Sequence, residues 1–119
     1  RIAAEDAVFG MPETSLGMLP AAGGTQTLPR MVGIPGALDM LLRNGRIDAA
    51  TAFEVGLVHK VVSRDILMKE VFTLARQLAA CPSHLVKAVK EAMRRGQDLP
   101  LEQALEVELN LAARAISTG

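Results

Sequence analysis

Glycine and proline are unevenly distributed along this chain, and their distribution limits the folds that are open to it. Residues 1–62 carry most of the ten glycines and six prolines, whereas residues 63–119 show an almost continuous helical pattern. Glycine and proline interrupt helices and strands, so the first part is expected to consist of short elements joined by turns. We therefore divide the chain into a mixed part, 1–62, and a helical part, 63–119.

The mixed part is expected to contain both short strands and short helices. The last of its helices is capped by Asp48 and ended by Gly56. A loop rich in turn residues is expected over 12–24. The predicted strands are 1–7, 7–11 and 57–62, and the predicted helices are 25–32, 35–44 and 49–55.

The helical part carries apolar residues at steps of three and four, which predicts three amphipathic helices. The first covers 64–80 and is broken by Cys81-Pro82, the second covers 83–95, and the third is capped by Asp98. On the second helix, Val86, Val89 and Met93 are expected to be buried. The apolar positions of the first helix are Leu67, Val71, Leu74 and Leu78, and those of the third are Leu101, Leu105, Leu109, Ala112 and Ile116.

Composition excludes several classes of protein. Thirteen basic and thirteen acidic residues give a net charge of +0, which argues against a nucleic-acid binder that works through bulk charge. A single cysteine, Cys81, excludes an internal disulfide and a cysteine-rich zinc site, and it favours a reducing, cytoplasmic setting. No apolar run reaches the roughly 20 residues that span a bilayer. Both termini look cut, so we expect a piece of a longer protein.

Glu13 is the residue of this sequence best placed to take part in acid–base chemistry. It follows Pro12 at the end of an apolar strand and has apolar neighbours, so its carboxyl group is expected to be poorly solvated. Such surroundings fit a carboxyl group for proton transfer near neutral pH. Further along, the Gly-Gly-Thr at 23–25 opens a predicted helix, where free backbone N–H groups attract anions or polarise carbonyl oxygens.

The pattern alone also allows simpler interpretations of these residues. Exposed glutamates are common, so Glu13 is also compatible with a solvated carboxylate at a strand end. The two glycines are also compatible with an ordinary tight turn. A surface or core-edge position is the simpler interpretation of His59, and a capping or surface position that of His84. The basic residues of the second helix are expected to form a solvated face, and they are Lys87, Lys90, Arg94 and Arg95.

One stretch of the chain resembles the crotonase superfamily, and most closely the enoyl-CoA hydratases. The matching residues are Phe-Gly-Met-Pro-Glu (9–13), Leu-Gly-Met-Leu-Pro (16–20), Gly-Gly-Thr-Gln (23–26), Leu-Pro-Arg (28–30) and Gly-Arg-Ile-Asp-Ala (45–49). The specific motifs cover about half of the chain, and generic helix follows from about Arg64. The resemblance implies an α/β fold. Residues 1–62 would form the C-terminal part of a crotonase-like ββα-spiral core, including the loop that carries Glu13, and residues 63–119 would form a helical trimerisation region.

The resemblance also implies an activity and site residues. Hydratases of this family add water syn across the double bond of a trans-2-enoyl-CoA and form a 3-hydroxyacyl-CoA. Glu13 matches the glutamate that gives carbon 2 its proton, and the N–H of Ala21 matches an amide that holds the water. Pro12, Leu16 and Pro20 are implied to contact the substrate. The family usually has Gly where this chain has Ala21, which affects the backbone angles of the loop but keeps the donor.

Other expectations follow from the same resemblance. A second glutamate and the oxyanion-hole N–H groups lie upstream in the family, so the 119 residues alone are expected to be inactive. No metal is expected. No separate cofactor is expected either, because coenzyme A is part of the substrate. A homotrimer or a dimer of trimers is expected, and the apolar residues of the last helix are then either core or interface. The alternatives are an isomerase, a 3-hydroxyisobutyryl-CoA hydrolase-like enzyme, and a non-catalytic assembly or RNA-binding relative.

Overall fold

The computed structural model describes residues 1–43 and 45–117, except for the side chain of Ser117. The chain forms two compact units, one comprising Arg1–Val71 and the other beginning at Phe72. The boundary that the sequence suggests after residue 62 stays a prediction. No helix in the described ranges is long and apolar enough to cross a membrane.

The first unit contains two small sheets of two strands each. Its strands are β1 (Ile2–Ala4), β2 (Val8–Phe9), β3 (Ile47–Asp48) and β4 (Lys60–Val62). β1 pairs with β4 in parallel, with Ile2 opposite Lys60, and β2 pairs with β3 in antiparallel orientation. The strands are shorter than the sequence predicted, and β3 was not predicted at all.

The helix α1 (Gly24–Leu42) carries a break that the sequence located. Gly33 has φ 78° and ψ 161°, which is not helical, and the chain resumes the helix through Pro35. Glycine tolerates this positive φ, and proline suits a first helical turn because it has no N–H to leave unpaired. The two predicted helical segments are therefore both present, joined by this kink, and the predicted end of the second at residue 44 lies outside the described residues.

The helix α2 (Ala49–Glu54) begins with the cap that the sequence predicted. The Asp48 Oδ1 atom accepts a hydrogen bond from the Thr51 N–H at 2.8 Å. This bond holds the pKa of the Asp48 carboxyl below its usual range. After the helix, Gly56 adopts φ 77°, a conformation that ends a helix and that residues with a Cβ rarely adopt.

Two clusters of buried residues form the core of the first unit. The first packs α2 against the strands, and it uses small side chains, since Ala49 and Ala52 have no exposed surface. The second forms on the buried side of α1. Phe9, Ile47 and Leu57 pack against both clusters. The clusters consist of Ala3, Ala49, Ala52 and Val58 in the first, and Leu28, Ala37, Met40 and Leu41 in the second.

Ion pairs connect the strand region of the first unit to the residues that follow β4. Arg64 binds the Asp6 carboxylate at 2.7 Å, and Lys60 binds Glu70 at 2.5 Å. The Lys60 ammonium holds the pKa of the Glu70 carboxyl below its usual range. These pairs are solvent-accessible, so each contributes little to stability by itself. Residues 64–66 form a short 3₁₀ turn, and α3 (Leu67–Ala79) follows.

The second unit contains a helical hairpin of α4 (Ser83–Gly96) and α5 (Leu101–Ser117). A Cβ added at Gly96 would lie 3.3 Å from the Ala104 Cβ, so the two helices approach closely at their connection. Leu111 and Ala115 are buried, but much of the apolar surface is not covered. Leu101 is 73% exposed and Ile116 is 83% exposed.

Several residues that the sequence placed in a core are exposed in the structure. Val89 and Met93 face solvent. Leu101, Leu105 and Leu109 do so too, and for these three a subunit interface was the alternative to a core position. Periodicity identifies an apolar face, but it does not show that a partner covers that face. Cys81 is also exposed, although free cysteine is among the most often buried residue types, and a buried or half-buried position was expected for it on that ground.

Candidate active site

Glu13 opens a one-turn 3₁₀ helix, Glu13–Leu16, which we call the acid turn. The sequence predicted only a loop here. The Glu13 carbonyl accepts a hydrogen bond from the Met18 N–H at 2.9 Å, and Gly17 ends the turn with φ 72°. Glycine adopts this left-handed conformation without strain, whereas a Cβ makes it unfavourable. The backbone around Glu13 is therefore closed by local hydrogen bonds.

The Glu13 side chain is half-buried, and its two oxygens differ. The Oε2 atom is shielded from solvent and has no hydrogen-bond partner among the described residues. Buried carboxylate oxygens are normally hydrogen-bonded, and an unpaired one is unfavourable. The described residues therefore leave the hydrogen-bonding capacity of this oxygen unused.

The acid turn has two hydroxyl side chains, one of which binds a carbonyl oxygen nearby in the sequence and the other a carbonyl oxygen far from it. The Ser15 Oγ donates to the Pro12 carbonyl at 2.6 Å, which is a local bond on the surface. The Thr14 Oγ1 donates to the carbonyl of Leu41 in α1. The acid turn is thus closed on itself at Ser15 and attached to α1 at Thr14.

The segment from Pro20 to Gly24 brings backbone N–H groups to the start of α1. Pro20 is buried, Ala21 is exposed, and in the described part of the chain the Ala21 N–H donates no hydrogen bond. The two adjacent positions that follow are glycine for different structural reasons. Gly23 has φ 97°, and a Cβ at Gly24 would lie 2.4 Å from the Met11 Cε. The Gly-Gly pair is therefore required by backbone conformation at one position and by space at the other.

An apolar cavity of about 350 Å³ lies beside the acid turn. It lies between the loop around Pro20 and the exposed side of α1, and Thr14 is the member of the acid turn that lines it. Such a cavity suits an apolar ligand group. Its lining residues are Thr14, Leu19, Pro20, Thr25, Pro29, Ile34, Ala37, Leu38, Leu41 and Leu42.

The structure separates the predicted site residues into distinct places. Pro20 lines the apolar cavity, whereas Pro12 lines a second cavity of about 250 Å³ together with Arg46. Glu13, Leu16 and Ala21 line neither cavity, and Leu16 is largely exposed. The assignments of all five residues stay predictions.

Sequence reasoning missed most of the cavity lining. Ile34, Leu38 and Leu42 recur at steps of four along α1, and this spacing was a usable signal, because it places them on one helix face. The contribution of Thr14 had no such signal, since its role depends on a partner far along the chain.

The described ranges contain no group of three His, Cys, Asp or Glu side chains that could hold a metal ion. His59 is exposed and His84 is half-buried at the start of α4. The basic residues of α4 are exposed, as predicted, and Arg95 pairs with Glu91 at 3.0 Å.

Comparison with known proteins gives consistent matches. The model of the enoyl-CoA hydratase/isomerase family matches residues 1–119. A short-chain-enoyl-CoA hydratase from Clostridioides difficile is 39% identical over 99% of this chain and 76% of its own length. A crotonyl-CoA hydratase from Syntrophomonas wolfei is 37% identical over 99% of this chain and 45% of its own length.

Solved structures show the same fold. An enoyl-CoA hydratase from Bacillus anthracis superposes with a TM-score of 0.94 and 35% identity, over 100% of this chain and 46% of that one. A candidate enoyl-CoA hydratase from Thermobifida fusca, solved in complex with CoA, gives a TM-score of 0.94 and 31% identity over 99% and 46% of the two chains. The chain thus spans about half the length of most of these relatives, and it belongs to the enoyl-CoA hydratase/isomerase family, with the crotonase fold.

Proposed function

We propose that the intact protein containing this chain (below, the intact protein) is an enoyl-CoA hydratase. It adds water syn across the double bond of a trans-2-enoyl-CoA and forms a 3-hydroxyacyl-CoA. The observation that carries this proposal is the half-buried Glu13 carboxyl, whose Oε2 has no hydrogen-bond partner among the described residues. The hydratase names of the relatives, several of them 37–39% identical to this chain, support it.

Each residue of the proposed site has a separate role. The Glu13 carboxyl gives its proton to carbon 2, while the water oxygen bonds to carbon 3. The second glutamate of the family takes one water proton, and the other stays on the new hydroxyl group. The Ala21 N–H, which donates to no acceptor in the described residues, holds the water. Pro12, Leu16 and Pro20 contact the substrate. The two carboxyl groups thus exchange protonation states, and one water molecule is consumed.

The apolar cavity is proposed to receive part of the acyl chain. Its lining is almost wholly apolar, and its volume of about 350 Å³ suits a short aliphatic group. Coenzyme A enters as part of the substrate, so the reaction needs no separate cofactor. The CoA complex of a relative with the same fold supports an acyl-CoA ligand.

The 119 residues alone are proposed to be inactive. By the family resemblance, the second glutamate and the N–H groups that stabilise the thioester oxyanion come from a segment outside them. Two donors aimed at a developing oxyanion are usually among the largest contributions to catalysis. A Glu at the corresponding upstream position supports hydration, whereas Asp or a neutral residue there weakens the proposal.

The intact protein is proposed to be a cytoplasmic homo-oligomer, either a trimer or a dimer of trimers. The exposed apolar residues of α5 support an interface, since Leu101, Leu109 and Ile116 are each more than two-thirds exposed. Exposed apolar surface of this extent commonly marks a contact between subunits. Sedimentation of the intact protein measures its oligomeric state.

The test compares the intact protein with its Glu13→Gln variant on crotonyl-CoA. Gln keeps the shape of the side chain but cannot transfer the proton, so kcat is expected to fall about 10²–10⁴-fold. Glu5→Gln, at an exposed glutamate, is the matched control and should keep wild-type activity. Unchanged turnover in Glu13→Gln contradicts the assigned role.

Product analysis in the same assay separates the family's reactions. The hydratase forms 3-hydroxybutyryl-CoA, an isomerase moves the double bond, and a hydrolase releases free coenzyme A. Release of free coenzyme A, or a product that has gained no water, would replace the hydratase assignment with one of these two activities.

A further inference from the structure

Thr14 connects the acid turn to a distant element. Its hydroxyl donates to the Leu41 carbonyl, 27 residues further along the chain, in a partly buried position. Leu41 lies in the last turn of α1, where helix carbonyls have no donor within the helix. The Thr14 hydroxyl therefore meets an acceptor that needs a partner, which makes the bond a specific link rather than a chance surface contact.

The other hydrogen bonds of the acid turn are local. The Ser15 hydroxyl returns to Pro12, the Gly17 N–H returns to Thr14, and the Met18 N–H returns to Glu13. These bonds close the turn, but they do not fix its position relative to α1. A single helical turn has little stability of its own. The orientation of the turn therefore depends on contacts such as the Thr14 link.

We propose that Thr14 is a positioning residue for the Glu13 carboxyl. Adjacent Cα atoms lie 3.8 Å apart, so the Thr14 link restrains the backbone directly beside Glu13. The inference rests on the proposed function, in which Glu13 transfers a proton to the bound substrate. Thr14 itself transfers no proton and acts through the placement of its neighbour.

The side chain of Thr14 has two separate contacts. Its hydroxyl binds Leu41, and the residue also lines the apolar cavity. Its branching at Cβ restricts the side-chain torsion, so the hydroxyl is held in the bonded direction with little loss of entropy. Valine has the same shape without the hydroxyl, and serine has the hydroxyl without the methyl group. The two variants therefore separate positioning from cavity shape.

The experiment measures kcat and KM of the intact protein on crotonyl-CoA for wild type, Thr14→Val and Thr14→Ser. A displacement of about 1 Å at a reacting group can lower the rate about 10²-fold. Loss of the Thr14 link alone is expected to allow only part of such a displacement. Thr14→Val should therefore lower kcat about tenfold and leave KM within about twofold. Thr14→Ser should stay within about twofold of wild type, because it keeps the donor.

Ser15→Ala is the matched control. It removes a hydroxyl-to-carbonyl bond from the same turn, but that bond is local and is duplicated by the Ser15 N–H, which donates to the same Pro12 carbonyl at 3.1 Å. Its kcat should stay within about twofold of wild type. If Thr14→Val folds poorly, Thr14→Ala takes its place, and kcat is expressed per folded protein by circular dichroism.

The outcomes distinguish this inference from the proposed function. Suppose that the wild type is active and that Glu13→Gln has lost most of its activity. If Thr14→Val then has the kcat and KM of the wild type, the positioning role is overturned and the proposed function stands. A tenfold loss that Thr14→Ser does not restore also overturns it, because the hydroxyl is then not the cause. An inactive wild type, or full activity in Glu13→Gln, overturns the proposed function and this inference with it.

Discussion

Replacing Gly24 by Ala tests why the chain has two glycines before α1. A Cβ at this position would lie 2.4 Å from the Met11 Cε and 3.0 Å from the Pro20 Cβ. The Met11 side chain ends in a flexible methyl group that can turn away, but the Pro20 ring is buried and fixed in the loop. Overpacking of this kind costs about 1–3 kcal/mol, and we expect about 2 kcal/mol here, since only one of the two neighbours can move.

Urea denaturation of the intact protein gives the free energy of unfolding for each variant. Gly36→Ala is the control, because it makes the same change in the same helix with its nearest contact 3.3 Å away at the Val32 Cγ2. Its stability should stay within about 0.5 kcal/mol of wild type, since Ala favours helix more than Gly does. A Gly24→Ala protein as stable as wild type would refute the steric argument.

A double-mutant cycle identifies the atoms responsible. If the Met11 side chain causes part of the clash, Met11→Ala should relieve it. The double variant should then be more stable than the sum of the two single changes predicts, by at least about 0.5 kcal/mol. Strictly additive effects would leave the Pro20 ring as the source of the strain.

Two further predictions concern the first unit. Asp48→Ala removes the acceptor for the Thr51 N–H and should lower the free energy of unfolding by about 1 kcal/mol. Asp48→Asn keeps an acceptor oxygen and should retain most of this stability. Equal losses in the two variants would contradict a capping role. Glu70→Gln should lower the melting temperature at pH 7, and its difference from wild type should shrink as the pH falls below 4.5. Lys60 depresses the pKa of Glu70, so the pair stabilises the fold above the carboxyl's ordinary value of 4.5 and stops doing so as pH falls through the lower, folded-state pKa. A pH-independent difference between the two proteins would contradict this assignment.

The local structure of the first unit was predictable wherever glycine, proline or a capping side chain determines it. The Asp48 cap, the positive φ of Gly56 and the restart of α1 at Pro35 all follow from the backbone preferences of single residues. β3 was not predictable in this way. It has two residues, and its extended state depends on pairing with β2, which the local sequence does not contain.

The site shows the same division between local and long-range information. Glu13 could be singled out as a candidate site residue from the sequence, because the motif that contains it is continuous. The shielding of one of its oxygens and the Thr14 bond to Leu41 could not be predicted, because each depends on residues that only the folded chain brings together. The apolar faces of α4 and α5 were located correctly, but their exposure was not, because periodicity does not reveal which neighbour is present.

The parallel pairing of β1 with β4 has a consequence for how the chain is synthesised. Ile2 pairs with Lys60, and the Asp6–Arg64 pair spans 58 positions. Ribosomes add about 5–20 residues per second, so β1 emerges roughly 3–12 s before its partner strand is made. The hairpin of α4 and α5 involves only nearby residues and can form within milliseconds of its completion. Translation rate, rather than the intrinsic speed of folding, is thus expected to set how long the edge of β1 stays unpaired and open to other chains or to a chaperone.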